Sequence, residues 1–251
     1  HVSMRRYCQS SRFILFRIML YLSIVTLLWA FSFGIIEHRL TGLDPYFIAA
    51  TRLSCGCLLL IPFFRAQQVP KSDWLMLASR GAIQYGLMYV CYIKAFAYLP
   101  SHQVALLTAL TPFYVFFIHA LRQRQWFVRD ALACILAVGG LGLIKAQAYD
   151  QEAWWIGFGL LQIAGIAFAY GQVSYRDWHL KHSYIDAHEV FGLYYGGAAI
   201  FTWIVAAFLG DWSQLPSSQT QWQALLYLGF VACGIGFYLW NQGATKVSAG
   251  T

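Results

Sequence analysis

Long apolar segments separated by short polar stretches dominate this chain. A helix needs about 20 mostly apolar residues to cross the hydrocarbon core of a bilayer, and eight segments meet that requirement. The predicted spans, numbered 1 to 8 in chain order, cover residues 18–36, 46–64, 74–99, 103–121, 126–144, 154–175, 190–210 and 222–244. The pattern therefore predicts an all-α polytopic membrane protein.

The composition supports lipid as the solvent of this chain. Of its 251 residues, 59% are apolar, 18% are aromatic and only 11% are charged. A soluble globular domain carries roughly 25% charged residues, so this chain could not cover a water-exposed surface of its size. Most of the six cysteines lie inside the apolar segments, which is typical of small buried side chains and not of a disulfide framework.

The distribution of positive charge predicts the orientation of the chain. If the N-terminus lies in the cytoplasm, the outer loops receive only Arg39 and Lys145. The inner side receives twelve basic residues: Arg5, Arg6, Arg12, Arg17, Arg65, Lys71, Arg122, Arg124, Arg129, Arg176, Lys181 and Lys246. Cytoplasmic loops concentrate Lys and Arg, so we expect a cytoplasmic N-terminus in a cell membrane, specifically a bacterial inner membrane.

Span 3 and span 8 resemble each other. Four positions of span 3 recur 148 residues later with the same residue type, namely Trp74 and Trp222, Leu77 and Leu225, Gly81 and Gly229, and Gly86 and Gly234. The implied repeat unit holds five spans. Because five is odd, the second unit enters the membrane from the opposite side, which makes an inverted repeat of the kind common in secondary transporters.

This repeat predicts the domain organisation. We expect a basic cytoplasmic N-terminal tail at residues 1–17, a first five-helix repeat at 18–145, a short outer linker at 146–153 and a second repeat at 154–251. Two complete units would contain ten spans, and about eight are present. The pattern therefore predicts that the second repeat is truncated after its third helix.

Several short motifs carry a family resemblance. They are Trp-Ala-Phe-Ser-Phe-Gly at 29–34, Gly-Leu-Asp-Pro at 42–45, Ala-Ala-Thr-Arg-Leu at 49–53, Ala-Phe-Ala-Tyr-Leu-Pro-Ser at 95–101, Ala-Leu-Thr-Pro at 109–112 and Gly-Gly-Leu-Gly at 139–142. In order and spacing the set resembles the EamA family of the drug/metabolite transporter superfamily. One departure is at 123–125, which reads Gln-Arg-Gln where that family often has a Glu-Arg pair. The resemblance implies ten helices and the transport of small metabolites, often as export.

Polar and aromatic residues near mid-depth are the candidates for substrate binding. Tyr85 and Tyr89 are the strongest, because one helical turn separates them and their rings share a face. The full predicted set is Trp29, Gln84, Tyr85, Tyr89, Thr108, Gln162, Tyr170, Tyr238 and Asn241. The alternative for each residue is that its ring or amide only fills a contact between helices.

Charged residues inside the spans need a separate explanation. Arg52 lies seven residues into span 2, and we expect a structural role in which its side chain reaches the outer face, where Asp44 and Glu37 are available partners. A functional role is the alternative. No Asp or Glu lies at mid-depth in any span, which disfavours a strongly cationic substrate.

These features predict a secondary transporter that exports small metabolites, such as amino acids or related compounds, by alternating access. The alternatives are efflux of lipophilic or toxic compounds and, in a different class, a non-transporting membrane scaffold or sensor. The sequence contains no phosphate-binding loop and no recognisable catalytic motif. We therefore expect no enzymatic activity, no metal, no cofactor and no nucleic-acid partner, and only a small-molecule substrate and the lipid bilayer as partners.

Overall fold

The computed structural model describes residues 2–123 and 152–244, and this part of the chain is helical without a strand. Ten α-helices are numbered in chain order. They are α1 (Val2–Arg39), α2 (Pro45–Leu60), α3 (Trp74–Gly81), α4 (Met88–Ala95), α5 (Ser101–Thr108), α6 (Thr111–Gln123), α7 (Glu152–Lys181), α8 (Ala187–Leu209), α9 (Gln219–Tyr227) and α10 (Gly236–Ala244). Short 3₁₀ turns at Ile61–Phe63 and Lys71–Asp73 connect α2 to α3.

Six helical stretches in the described residues are long and apolar enough to cross a membrane. They correspond to predicted spans 1, 2, 4, 6, 7 and 8, which confirms the polytopic, all-α prediction. Large apolar side chains face outward, as a lipid solvent allows, and Leu75 and Phe208 are each 82% exposed. Span 3 is also helical from Trp74 to Ala95. Span 5 and most of the predicted linker lie outside the described residues.

Local sequence signals set the helix starts. Before α2, Gly42 has a φ of 85°, a left-handed conformation that suits glycine. Asp44 then caps the helix, because its Oδ1 accepts a hydrogen bond of 2.7 Å from the backbone N–H of Phe47. Asp186 directly precedes α8 in the same way, and its backbone N–H donates to the Glu189 carboxylate at 3.0 Å. An aspartate thus precedes the first residue of each of these two helices.

Spans 3 and 8 each contain a π-helical segment that their sequences do not predict. The first π segment is Ala82–Leu87, and the second π segment is Leu228–Ile235. Their last residues, Leu87 and Ile235, are 148 residues apart, the same offset that relates the two spans in sequence. Because the same departure from α geometry occurs at equivalent positions, it supports the internal repeat. Such segments are frequent at functional sites.

The helices from the two predicted repeats pack in a reciprocal way. Helix α2 packs along α8, the first π segment packs on α8, and the second π segment packs on α2. Glycine permits this approach at two reciprocal positions. A Cβ at Gly81 would lie 2.1 Å from the carbonyl oxygen of Tyr194, and a Cβ at Gly197 would lie 2.0 Å from that of Ala78. Backbone contact between the units therefore depends on the absence of a side chain.

Span 4 is interrupted, as Pro112 predicts. Helix α5 ends at Thr108 and α6 begins at Thr111, which places Pro112 in the first turn of α6. Proline fits that position because its missing N–H would have no partner there in any case. The break positions α6 against α7, where Arg122 pairs with Asp177 at 2.6 Å.

Candidate functional site

An aromatic cluster lies where α1, α8, α10 and the span 3 helices meet. Phe237 is at its centre, with ring centroids 4.8 Å from Trp29, 4.9 Å from Tyr85 and 6.0 Å from Tyr89. Tyr195 joins it through Tyr85, at 5.1 Å. With Asn241, these five aromatic residues are called the central cluster below. The structure thus brings together four of the nine predicted site residues, namely Trp29, Tyr85, Tyr89 and Asn241.

Polar atoms within the central cluster are paired across spans. The side-chain amide of Asn241 donates to the Tyr85 hydroxyl at 2.6 Å and to the Phe237 carbonyl at 2.8 Å. Trp29 Nε1 donates to the Ala232 carbonyl at 3.0 Å, and the Tyr195 hydroxyl donates to the Cys233 carbonyl at 2.6 Å. Both of these carbonyls belong to the second π segment. Side chains from α1 and α8 therefore hold the backbone of span 8 where its helix departs from α geometry.

The prediction that Arg52 reaches the outer face is wrong. Its side chain is only 2% exposed, and its Nη2 donates to the Tyr89 hydroxyl at 3.1 Å with the guanidinium carbon 4.8 Å from the Tyr89 ring centre. The two expected partners are engaged elsewhere. Asp44 accepts from the backbone N–H groups of Phe47 and Asp211, and Glu37 accepts from Ser101. Arg52 therefore extends the central cluster with a buried positive charge.

Gln84 lies one residue before Tyr85 in the first π segment and is fully buried. Neither its amide nitrogen nor its amide oxygen has a hydrogen-bond partner in the described part of the chain. The residue packs closely on α7, because a Cβ at Gly171 would lie 2.2 Å from Gln84 Cβ. A buried amide without a partner carries a desolvation cost, and a substrate could offset that cost by bonding to it.

The remaining predicted site residues make contacts of other kinds. Thr108 donates to the Ala105 carbonyl at 2.8 Å within α5. Gln162 accepts a hydrogen bond from the Tyr114 hydroxyl, between α7 and α6. Tyr170 is 38% exposed and lies under the Arg122 guanidinium, while Tyr238 lies edge-on to Phe191 at 6.5 Å. Thr108 therefore lies on α5, whereas Gln162 and Tyr170 lie on α7 and contact residues of α6.

The predicted site set left out three members of this region, Arg52, Tyr195 and Phe237. Arg52 had a usable signal, because a charged residue inside a span is a functional candidate by default. Tyr195 belongs to the pair Tyr194-Tyr195 inside an otherwise small and apolar stretch of span 7. Phe237 gave no signal in the sequence, since a single phenylalanine in a membrane span usually contacts lipid or packs between helices. Only the tertiary contacts distinguish it.

In the described residues, two other charged side chains inside predicted spans, Arg80 and Lys94, have local partners. Arg80 donates through Nη1 to the Ser174 carbonyl at 3.1 Å, which joins α3 to α7. Lys94 lies 5.5 Å from the ring centre of Tyr46, which joins α4 to α2. Each contact fits a structural role between neighbouring helices. In the described residues, no group of His, Cys, Asp and Glu is placed to hold a metal ion.

Comparison with known proteins decides the family. The sequence profile of the EamA-like transporter family matches residues 16–146. The chain belongs to the EamA-like transporter family. It is therefore a membrane-embedded secondary transporter of small molecules, as the short motifs predict.

Two relatives in this family differ in what their names say they carry. A biotin transporter of Salmonella typhimurium is 36% identical over 234 residues, which cover 92% of this chain and 77% of that protein. A pseudopaline exporter of Pseudomonas aeruginosa is 24% identical over 221 residues, which cover 83% of this chain and 73% of that protein. Neither name supports the expectation of amino acids as substrates.

A solved crystal structure of a protein has the same fold. The two structures align with a TM-score of 0.67 at 16% sequence identity, and the alignment covers 93% of this chain and 81% of the other. At that identity the likeness concerns the fold alone. It agrees with the family assignment and adds no information about the substrate.

Proposed function

We propose that this EamA-like transporter carries biotin, or a closely related ureido acid, across a bacterial inner membrane by alternating access. The observation that carries the proposal is the 36% identity, over 92% of the chain, to a protein named as a biotin transporter. This proposal replaces amino acids as the favoured substrate.

The chemistry of the central cluster fits such a molecule. Biotin combines a compact, mostly apolar fused ring with a urea group that both donates and accepts hydrogen bonds. Trp29, Tyr85 and Phe237 offer aromatic surface for the ring. The amides of Gln84 and Asn241, both at least 99% buried, offer the complementary donors and acceptors for the urea. Ligand sites commonly combine apolar walls with a few placed polar groups in this way.

The packing of the two repeats suits a rocking mechanism. The central cluster joins residues of span 1 and span 3 to residues of span 7 and span 8, so it lies between the predicted repeats. Transporters built from inverted repeats bind substrate at that interface and expose it alternately to the two sides. The closed packing of Tyr85 and Asn241 is then one state, and an open state would separate these two residues. The proposed orientation places the N-terminus and the Arg65 turn in the cytoplasm.

Counterflow in proteoliposomes tests the proposed substrate. The purified protein is reconstituted into vesicles loaded with unlabelled biotin, and entry of radiolabelled biotin is followed against protein-free vesicles. We expect saturable entry that excess biotin abolishes and that a mixture of the common amino acids leaves unchanged. If labelled amino acids exchange and biotin does not, the proposal is overturned.

Export of a polar metabolite is a second candidate, favoured by the relative named as a pseudopaline exporter. The same vesicles distinguish the two when they are loaded with pseudopaline in place of biotin. Biotin is the favoured substrate, because the relative named for it is 36% identical to this chain and the exporter is 24% identical.

A further inference from the structure

The most unusual group in the described part of the molecule is the guanidinium of Arg52. Along the helix axis, Arg52 lies about 10 Å from the first residue of α2, at 1.5 Å per residue. Only 2% of the residue is exposed. Of its three nitrogens, Nη2 bonds to Tyr89, whereas Nε and Nη1 are buried without a hydrogen-bond partner in the described residues. The side chain thus presents two unsatisfied donors.

An arginine in this position carries an unbalanced charge. Guanidinium groups do not lose their proton in proteins, and a buried charge without a partner is unfavourable by several kcal/mol in general. Among the described residues, no Asp or Glu lies within 4 Å of Arg52, since the ion pairs there involve Arg65, Arg122 and His182. The cation–π contact with Tyr89 compensates only in part.

The surroundings place this charge at the proposed transport site. The second π segment approaches the backbone of α2 here, because a Cβ at Gly229 would lie 2.6 Å from Cys55 Cβ and 3.4 Å from Arg52 Cα. Tyr89 connects the guanidinium to Phe237, and through it to Trp29 and Tyr85. A cation with free donors therefore adjoins an aromatic surface, at the contact between the two predicted repeats.

We propose that Arg52 is the subsite for the carboxylate of the substrate, with one of the unsatisfied nitrogens, Nε or Nη1, as its donor and Tyr89 as the residue that holds the guanidinium in place. This proposal rests on the proposed function and makes it more specific. It assigns the substrate to the class of monocarboxylic acids with a compact ring, and it orients the ring toward Phe237. Nε and Nη1 lie on different edges of the guanidinium, so the carboxylate would accept a single charge-assisted hydrogen bond from one of them.

Charge-neutral analogues test the subsite directly. Biotin and biotinamide share the ring and the chain but differ in the carboxylate, and each is used to compete with radiolabelled biotin during counterflow. We expect wild-type protein to prefer biotin by about 10- to 100-fold, the range of one hydrogen bond between charged groups. In Arg52→Gln the preference should disappear, because biotin should inhibit more weakly than in the wild-type protein while biotinamide should inhibit equally in both. Arg80→Gln is the matched control and should keep the preference.

Arg52→Lys provides a second variant if Arg52→Gln does not fold. Lysine keeps the charge but lacks the planar guanidinium with its fixed donor directions, so the preference for biotin should fall without vanishing. Equal weakening of biotin and biotinamide in either variant, or no preference in the wild-type protein, would overturn the assignment.

A separate measurement distinguishes this failure from failure of the proposed function. Valerate, which is the side chain of biotin without its ring, is compared with valeramide for its effect on the thermal unfolding midpoint. If biotin is not transported but valerate stabilises the wild-type protein and not Arg52→Gln, the carboxylate subsite stands and biotin is wrong. If valerate and valeramide act alike on both proteins, the subsite is wrong.

Discussion

The side-chain amide of Asn241 donates a 2.6 Å hydrogen bond to the hydroxyl of Tyr85, and the two residues are 156 positions apart. Tyr85 lies in the first π segment and Asn241 in α10, so the bond joins span 3 to its predicted counterpart, span 8. Both side chains are buried, at 0% and 1% exposure. The bond can persist only while these two spans stay in contact, which makes it a marker of the closed packing.

Replacement of Tyr85 separates the roles of its ring and its hydroxyl. Tyr85→Ala removes ring contacts with Tyr194, Tyr195 and Phe237, so transport should be nearly lost. A large-to-small change of a buried aromatic residue generally lowers the unfolding free energy by about 3–5 kcal/mol. Tyr85→Phe removes only one hydrogen bond, worth about 0.5–1.5 kcal/mol, and should keep much of the rate. Initial transport rates and thermal unfolding measure both effects.

The matched control for this pair is Tyr184, which is 72% exposed. Tyr184→Ala and Tyr184→Phe should both transport like the wild-type protein. If Tyr85→Ala and Tyr85→Phe also behave like the wild type, the central cluster does not line the transport path.

The donors to the second π segment should stabilise it. Trp29→Phe and Tyr195→Phe each keep an aromatic ring but remove the donor to the carbonyl of Ala232 or Cys233. Each variant should lose about 0.5–1.5 kcal/mol of unfolding free energy. Both should also change the transport rate, since the segment they hold packs on α2. Thermal unfolding in detergent and counterflow in vesicles are the measurements.

Trp203→Phe is the control for Trp29→Phe, because it also removes a hydrogen bond from an indole nitrogen. Trp203 Nε1 donates to the Ser54 hydroxyl at 2.8 Å and not to a carbonyl of the second π segment, and Trp203 is 38% exposed. Its loss should leave transport unchanged. A Trp203→Phe defect as large as that of Trp29→Phe would show that the π segment has no special role.

Adjacent glycines in α8 provide a steric test of the contact between spans 7 and 3. A Cβ at Gly197 would lie 2.0 Å from the carbonyl oxygen of Ala78, a backbone atom that cannot move independently. A Cβ at Gly196 would meet nothing within 4 Å. We therefore expect Gly197→Ala to lose folded protein and transport, and Gly196→Ala to behave like the wild type. Size-exclusion profiles and counterflow compare them, and similar results for the two variants would contradict the packing.

Accessibility labelling tests the predicted orientation. Ser217 lies in the exposed stretch between α8 and α9, which the basic-residue pattern places outside, and Ser183 lies in the exposed stretch between α7 and α8, which it places inside. In a background whose own cysteines are replaced, Ser217→Cys should react with an impermeant maleimide in intact cells. Ser183→Cys should react only after permeabilisation. The reverse pattern would invert the topology.

Ser217 is preferred over Ser213 for a structural reason. The hydroxyl and the backbone N–H of Ser213 both donate to the Asp211 carboxylate, at 2.6 and 3.0 Å, and these bonds lower the pKa of Asp211. Replacing Ser213 would remove one of them and disturb the turn. Asp211 also donates its backbone N–H to Asp44 at 3.0 Å, so the turn is joined to the cap of α2.

The sequence alone determined the helices and the family, and it predicted residues that meet in the proposed site. Span positions follow from runs of about 20 apolar residues, because lipid forces every backbone group to bond within its own helix. The 148-residue offset that relates Gly86 to Gly234 in the sequence also relates Leu87 to Ile235, the last residues of the two π segments. Tyr85 and Tyr89 could be chosen because residues four apart share a helix face.

Only the tertiary structure decided which polar groups meet. Arg52 has Asp44 and Glu37 nearby in sequence, yet it bonds to Tyr89, because both carboxylates are used by backbone N–H groups at helix starts. Phe237 became central for a similar reason, since its place depends on how α10 packs on α1 and α8. The π segments also escaped prediction. Gly81 directly precedes the first π segment and lies against the Tyr194 backbone of another span, and periodicity within one span does not encode that contact.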